Sequence, residues 1–276
     1  MRITNYNIEN LIADVNGCLN EKGLWECEAS FKRFADSPAL FENINKKLEE
    51  LILNPCMNSA AMMSNGLVLH AEPGWSLMQS IYEHSSDHLY TIPFDGLITP
   101  ALHSNLIYSV YKLPENYKNN IFEHDCKLTE VGTFEAKHGD VIRIESKKYV
   151  YDINILHPLG ALRLYTSTYQ DLQWAFDRET LLPVQAISST ENASEITLIM
   201  QVLAKLGNQY SVDLIKQIAL SHPQHFVRWE AVKAIAQIDP HEGKAAVERA
   251  LGDSHPHIVA AANRTITRYQ ERKQIQ

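Results

Sequence analysis

The chain has 276 residues, 45% hydrophobic and 21% charged, with a formal net charge of −8. That length calls for one large domain or two ordinary ones, and the apolar fraction excludes wholesale disorder. The acidic balance argues against nucleic acid as a partner. Four cysteines without a Cys-x-x-Cys pair argue against a zinc ribbon or disulfide framework and fit a reduced, cytoplasmic setting.

The first residues, MRITNYNIENLIADVNG, lack the apolar run of a secretory signal. The longest uncharged stretch, 51–71, contains Asn54, Pro55, Asn58, Asn65 and Gly66, a poor membrane span, so no membrane association is expected. Residues 1–60 read as a helical cap. Segment 24–35 has the pattern of a short helix. Residues 37–53 predict an amphipathic helix, with Ser37 as cap, Pro38 in the first turn, and Leu40, Phe41, Ile44, Leu48, Leu51 and Ile52 as the buried stripe.

Residues 61–190 change character. Short runs rich in Tyr, Ile and Val recur about every ten residues: GLVLHA, SLMQSIYE, HLYTIPF, NLIYSVYKL, NNIFEH, KLTEVGTFEA, DVIRIES, KYVYDINIL and ALRLYTS. Turn residues such as Pro73-Gly74, Asp95-Gly96 and Gly139-Asp140 separate them. Eight or nine such strands predict an antiparallel sandwich or small barrel.

Within this region an ordered set of features runs over residues 99–181. Thr99-Pro100 opens it, followed by the strand bearing His103. Val131-Gly132 then precedes Gly139-Asp140-Val141 by six residues. Ala161-Leu162-x-x-Tyr165 and Trp174-x-x-Asp177-x-x-Thr180 close the set. The set resembles the cupin barrel of the cysteine dioxygenase family of thiol dioxygenases. The resemblance implies a mononuclear Fe(II) held by three histidines and left open for thiolate and dioxygen. It also implies departures here. The family's His-x-His pair is Ala101-Leu102-His103, which leaves His103 as the surviving metal position. The third ligand position counts to Val150, the family's second-sphere His becomes Arg163, and its active-site Tyr is matched by Tyr165.

If the resemblance holds, one imidazole cannot hold iron in a three-His geometry, and a guanidinium at Arg163 adds positive charge near where the cation would sit. A relocated set of His103, His84 and His88 is an alternative. The cavity otherwise suits a small anion, with Arg163, Tyr149 and Tyr151 as ligand-binding donors, Arg143 near the mouth and Tyr165 on the face of Arg163. A buried Arg163 needs a counter-charge, supplied by a bound carboxylate or by Glu145, because Asp152 has the wrong parity. Alternatively Arg163 closes a structural ion pair and the tyrosines are core. No Gly-rich phosphate loop, nucleophile elbow or His-Glu-x-x-His motif is present.

From Ala193 the periodicity is helical. Ile196, Ile199, Val202, Leu203 and Leu206 share one face, Gly207-Asn208 stops the helix, and further helices end at His222-Pro223 and Asp239-Pro240. FVRWEAVKAI (226–235) lies over HIVAAANRTI (257–266), and IKQIALSHP lies over VERALGDSHP. A period near 30 built of two helices marks a solenoid, and the Val-Arg-x-x-Ala form resembles short HEAT-like repeats. Residues 191–276 carry 10 Lys and Arg against 9 Asp and Glu, so the acidity belongs to the first two thirds of the chain, with 15 against 24. The repeat offers a surface for a protein partner, or packs against the first domain. Arg264, Arg268 and Arg272 form a stripe that meets an acidic partner or faces solvent.

The fold expected is thus mixed, all-β followed by all-α: a cupin-type antiparallel barrel with N-terminal helices, then a HEAT-like solenoid. Two functions stay open. The first is a metal-site-degenerate cupin serving as a small-ligand or protein-binding module of accessory or regulatory type, with no cofactor. The second is a divergent Fe(II)-dependent dioxygenase of a small thiol or amino acid, with His103 as ligand and Tyr165 as catalytic tyrosine.

Overall fold

The computed structural model describes residues 6–21, 23–53, 62–63, 66–207 and 209–274. The chain divides into two compact units, Met1–Ile187 and Ser188–Gln276. In the first, three helices (α1, Ile8–Glu21; α2, Glu28–Ala35; α3, Pro38–Leu53) precede the strands. These are β1 (Met62–Met63), β2 (Gly66–Glu72), β3 (Trp75–Tyr82), β4 (Leu89–Tyr90), β5 (Gly96–Pro100), β6 (Asn105–Lys112), β7 (Thr129–Lys137), β8 (Ile142–Ile144), β9 (Tyr149–Asn154), β10 (Leu159–Thr166), β11 (Leu172–Phe176) and β12 (Pro183–Ser188). Helices α4 (Glu191–Leu206), α5 (Val212–Ser221), α6 (His225–Ile238), α7 (Pro240–Ala250) and α8 (Pro256–Gln274) complete the described chain.

The strands form a main sheet in the order β1-β2-β3-β10-β5-β8 and two smaller ones, β7-β6-β9 and β12-β11-β4. From β5 to β10 the chain steps between sheets: β5 in the main sheet, β6 and β7 in the small one, then β8, β9 and β10 alternating. β10 pairs antiparallel with β3 and β5, β5 with β8, and β6 with β7 and β9, and this weave is a jelly roll of cupin type. Ile98, Ile142, Ile144, Leu159 and Ala161 of the main sheet share a core with Leu106 and Ala136 of the facing one.

The opposite face of the main sheet carries the helices. Leu77, Leu97, Leu162 and Leu164 pack against Leu11, Val15, Phe31, Phe34 and Leu40, each such burial stabilising the unit by roughly 1.5–3 kcal/mol. Polar ties reinforce the layer. Trp75 Nε1 donates to Asn16 at 2.8 Å, and Arg143, outward on β8, pairs with Glu28 of α2 at 2.6 Å.

Two local expectations are corrected here. The apolar stripe of α3 is buried only at its start: Ala39 and Leu40 are covered and Ile44 packs beside them, while Phe41, Leu48 and Ile52 are exposed. The helix meets the layer only with its first turns, so an amphipathic pattern outruns its partner. NNIFEH is not a strand. Asn119 imitates one instead: its Oδ1 accepts the Leu172 amide at 3.0 Å and its carbonyl accepts Trp174 Nε1 at 2.7 Å.

The second unit is a two-layer helical stack in which α6 is the hub, touching α4, α5, α7 and α8. Val227, Ala231, Val232, Ala234 and Ile235 are accordingly buried around it. Gly207, at φ 65°, closes α4 in the left-handed conformation that glycine adopts without strain. Asp239 caps α7, accepting the amides of His241 and Glu242 at 2.9 and 3.0 Å with Pro240 in the first turn. The predicted face of α4 is corrected too. Ala193, Met200 and Ala204 are buried, whereas Ile199, Val202 and Leu206 are exposed, because α4 ends the stack and only a narrow face meets α6. Arg264 and Arg268 are exposed; the Arg272 side chain lies outside the described residues.

Arg228, 9% exposed, ties the loops of this stack together. It grips Asp253 through two hydrogen bonds (2.9 and 2.7 Å) and donates to the carbonyls of His222 and Pro223 at 2.8 and 3.0 Å. Removing one partner of such a pair strands the other charge, at about 3–5 kcal/mol. Arg228→Met is therefore expected to lower the unfolding free energy by that order in urea titrations, and Asp253→Asn added to it to recover part of the loss. A second expectation concerns Gly243, where an added Cβ would stand 2.2 Å from the Cα of Ala236. Alanine gains about 1 kcal/mol in helix propensity, but the contact is with backbone and no rotamer change relieves it. Gly243→Ala should then be net destabilising, by about 1–3 kcal/mol; a variant of unchanged stability would mean that α6 and α7 can separate without cost.

Candidate functional site: the barrel interior

Strand β10 lies between β3 and β5, with Arg163 opposite Met78 on one side and Ile98 on the other. Because alternate residues share a face, Ala161, Arg163 and Tyr165 point into the barrel while Leu162 and Leu164 join the helical layer. The interior holds a cavity of about 430 Å³, walled by Ile98, Ile142, Ile144, Tyr108, Ile153 and Tyr151 together with Arg163, Tyr165 and Phe94. Its size is that of a small-molecule site, and His84, His88, Asp152 and Gln173 join the aliphatic and aromatic residues of its lining.

Arg163 is half-buried there. Its Nη1 donates to Ser80 Oγ at 3.3 Å, and its guanidinium carbon lies 5.3 Å from the Tyr165 ring centroid and 5.9 Å from that of Phe94. The two rings pack on each other at 4.9 Å. No carboxylate of the described residues pairs with Arg163: Glu145 is taken by Lys148 at 2.6 Å, and Asp152, on the other face of β9, by Arg178 at 2.6 and 2.8 Å. The wrong parity of Asp152 is thus matched by a different partner.

The tyrosines divide. Tyr165 lines the cavity, its hydroxyl 3.9 Å from Met78 Sδ. Tyr151 also lines it, but its hydroxyl is spent on the β8–β9 turn, donating to the Arg143 carbonyl at 2.9 Å and accepting the Glu145 amide at 3.2 Å. Burial pushes its pKa up to about 12, so it stays neutral and offers a ring wall rather than a donor. Tyr149 meets the edge of Tyr151, with ring centroids 6.2 Å apart, and is not among the residues lining the cavity.

His103 stands elsewhere. It sits exposed on the turn between β5 and β6 with φ 65°, a left-handed backbone, and does not line the cavity. His84 and His88 lie at the cavity wall on the β3–β4 connection, but neither forms a three-donor group with His103 among the described residues. At the two other metal positions expected from the resemblance stand Ala101 and Val150, whose side chains have no donor. The residues present therefore do not fit a three-histidine iron. Asp177 of the Trp-x-x-Asp-x-x-Thr motif closes a turn, accepting from the Thr180 amide and hydroxyl at 2.8 Å each.

Phe94 and Ser80, which complete the surroundings of Arg163, were not singled out from the sequence. The alternation in SLMQSIY does place Met78 and Ser80 on one face; what it does not reveal is that this face meets β10.

A family model described as HEAT repeats matches residues 183–267. No curated protein matches the chain in sequence. Among solved structures, hydroquinone 1,2-dioxygenase from Sphingomonas sp. TTNP3 is similar over 40% of this chain and 70% of that one, at 11% identity and a TM-score of 0.32. The hydroquinone 1,2-dioxygenase PnpCD covers 43% and 72% at 15% identity and 0.31. A cupin-superfamily sugar phosphate isomerase from Silicibacter pomeroyi covers 45% and 75% at 11% identity and 0.26. The second unit is thus a HEAT-repeat stack, and the first is assigned to the cupin type by its own strand order.

Proposed function

We propose that the first unit is a binding module for a small anionic ligand, in a barrel whose metal positions have been replaced, and that the HEAT stack serves as its surface for a protein partner. The observation that carries this reading is Arg163. A guanidinium set among aromatic rings and aliphatic side chains, with a serine hydroxyl but no carboxylate from the described residues, has donors left for a bidentate acceptor. A ligand carboxylate would neutralise it where solvent screening is weak, and Phe94 and Tyr165 would lie beside the organic part.

The resemblance to thiol dioxygenases supports the same reading from another direction. The cavity is retained, while the ligand positions carry Ala101 and Val150 and the second-sphere position carries Arg163. Nothing in the donor set favours the iron-dependent alternative. HEAT stacks bury one helix face against the neighbouring repeat and leave the others available; here Leu198, Leu214 and Leu220 are among the exposed apolar residues.

Titration calorimetry of the full chain with benzoate and with its neutral isostere benzamide tests the reading. Benzoate should bind more tightly, and Arg163→Met should weaken it by about tenfold to a hundredfold, the worth of a charge-assisted pair, while leaving benzamide little changed. Equal affinity for the two probes, or a methionine variant that binds benzoate as well as the parent, would contradict the assignment.

A further inference from the structure

The second unit carries three histidines that the proposed function does not use. We propose that His225, His255 and His257 form a zinc site that joins two successive repeats. Each repeat opens its inner helix on a His-Pro step: His222-Pro223-Gln224-His225 leads into the first turn of α6, and His255-Pro256-His257 into that of α8. Since α6 packs against α8, the loops come together one above the other. The ring of His225 lies 3.6 Å from that of His255 and 5.9 Å from that of His257, and the latter two are 5.2 Å apart. One ring nitrogen from each lies within 4.8 Å of the others, and among the described residues no other three metal-binding side chains gather so closely. His225 and His255 are buried, and His257 is half-buried.

The loops are held before any ion arrives. Arg228 fixes the first through the carbonyls of His222 and Pro223 and the second through Asp253, whose Oδ1 also accepts the His255 amide at 2.8 Å. Asp253 is therefore engaged as a brace and leaves the nitrogens as the donors, while its charge offsets that of Arg228. His255 Nδ1 accepts the amide of His257 at 3.3 Å, as His222 Nδ1 accepts that of Gln224 at 3.2 Å. A metal bond at His255 Nδ1 would replace that long hydrogen bond without moving the ring proton.

Three neutral imidazoles select a borderline transition metal over calcium or magnesium, which take oxygen. Zinc, content with three histidines and a water in a tetrahedron, suits the count. Zinc–nitrogen bonds of about 2.0 Å require nitrogens roughly 3.3 Å apart, so the cluster must contract. The rings of His225 and His255, now parallel within 7°, must also swing apart so that their in-plane lone pairs converge. Both changes fall on side chains at the start of α6 and around the start of α8. An ion bound in this way bridges residues 30 apart in sequence and stabilises the folded stack by mass action.

The test uses the untagged full chain, stripped with EDTA and desalted, and zinc chloride as the probe. Calorimetry is expected to show one zinc per chain with a dissociation constant in the micromolar range or below, and the zinc absorption edge to show three imidazole nitrogens at about 2.0 Å. His257→Ala and the milder His257→Gln should each weaken binding by about 30-fold or more with an unchanged circular dichroism spectrum, while His124→Ala keeps full affinity. Should His257→Ala fail to fold, the glutamine variant and the edge spectrum of the parent decide. Absence of zinc binding at micromolar concentrations, retention of affinity in a folded His257 variant, or an edge with fewer than three imidazoles would overturn the proposal.

Discussion

The first unit depends on the alternation along one strand. β10 is hydrogen-bonded on both edges, to β3 and to β5, and a one-residue slip would exchange its faces completely. In the observed register Leu162 and Leu164 meet the phenylalanines of α2, while Ala161, Arg163 and Tyr165 face the barrel. A slip would expose two leucines to the cavity and force a guanidinium into the apolar layer under the helices, a cost of several kcal/mol for an unpaired buried charge. The register that builds the helix-facing core is therefore the one that delivers Arg163 to the interior. Fold and candidate site have a single cause.

In the second unit the comparable constraint is the Arg228 pair. A solenoid is stabilised by each repeat against its neighbour, and the loops that connect them carry carbonyls that need donors. Arg228 supplies these to His222 and Pro223 and, through Asp253, reaches the following loop. The close approach of Gly243 to Ala236 sets the spacing of α6 and α7 in the same way. Loop positions are thus fixed by a few polar contacts and one missing Cβ, and those contacts also bring the imidazoles together.

Much of this was legible from periodicity. Period-two alternation put Arg163 and Tyr165 on one face of β10, and the 31-residue offset between the two Arg/Ala-rich segments pointed to the stack. Periodicity reports which residues share a face, not whether a partner covers it, which is why Phe41 and Leu48 on α3 and Ile199 and Leu206 on α4 are exposed. Turn chemistry misled at Asn119, whose side chain satisfies the neighbouring strand without the backbone being one. His103 holds its place in the motif but stands on a left-handed turn outside the cavity, a matter of backbone conformation that spacing cannot convey. The His225 cluster depends on a one-residue difference between two loops, so the imidazoles fall out of register in the aligned repeats and meet only in three dimensions.

The central claim is that the Arg163 guanidinium recognises an anion inside the barrel. A crystal structure of the protein grown with 4-bromobenzoate addresses it most directly, because bromine marks the ligand by its anomalous signal. The account calls for one bromine peak within the cavity, with the carboxylate on Arg163 and the ring beside Phe94 and Tyr165. A ligand bound with its carboxylate turned away from Arg163, or a cavity left empty while Arg163 pairs with a carboxylate of the chain itself, would contradict it.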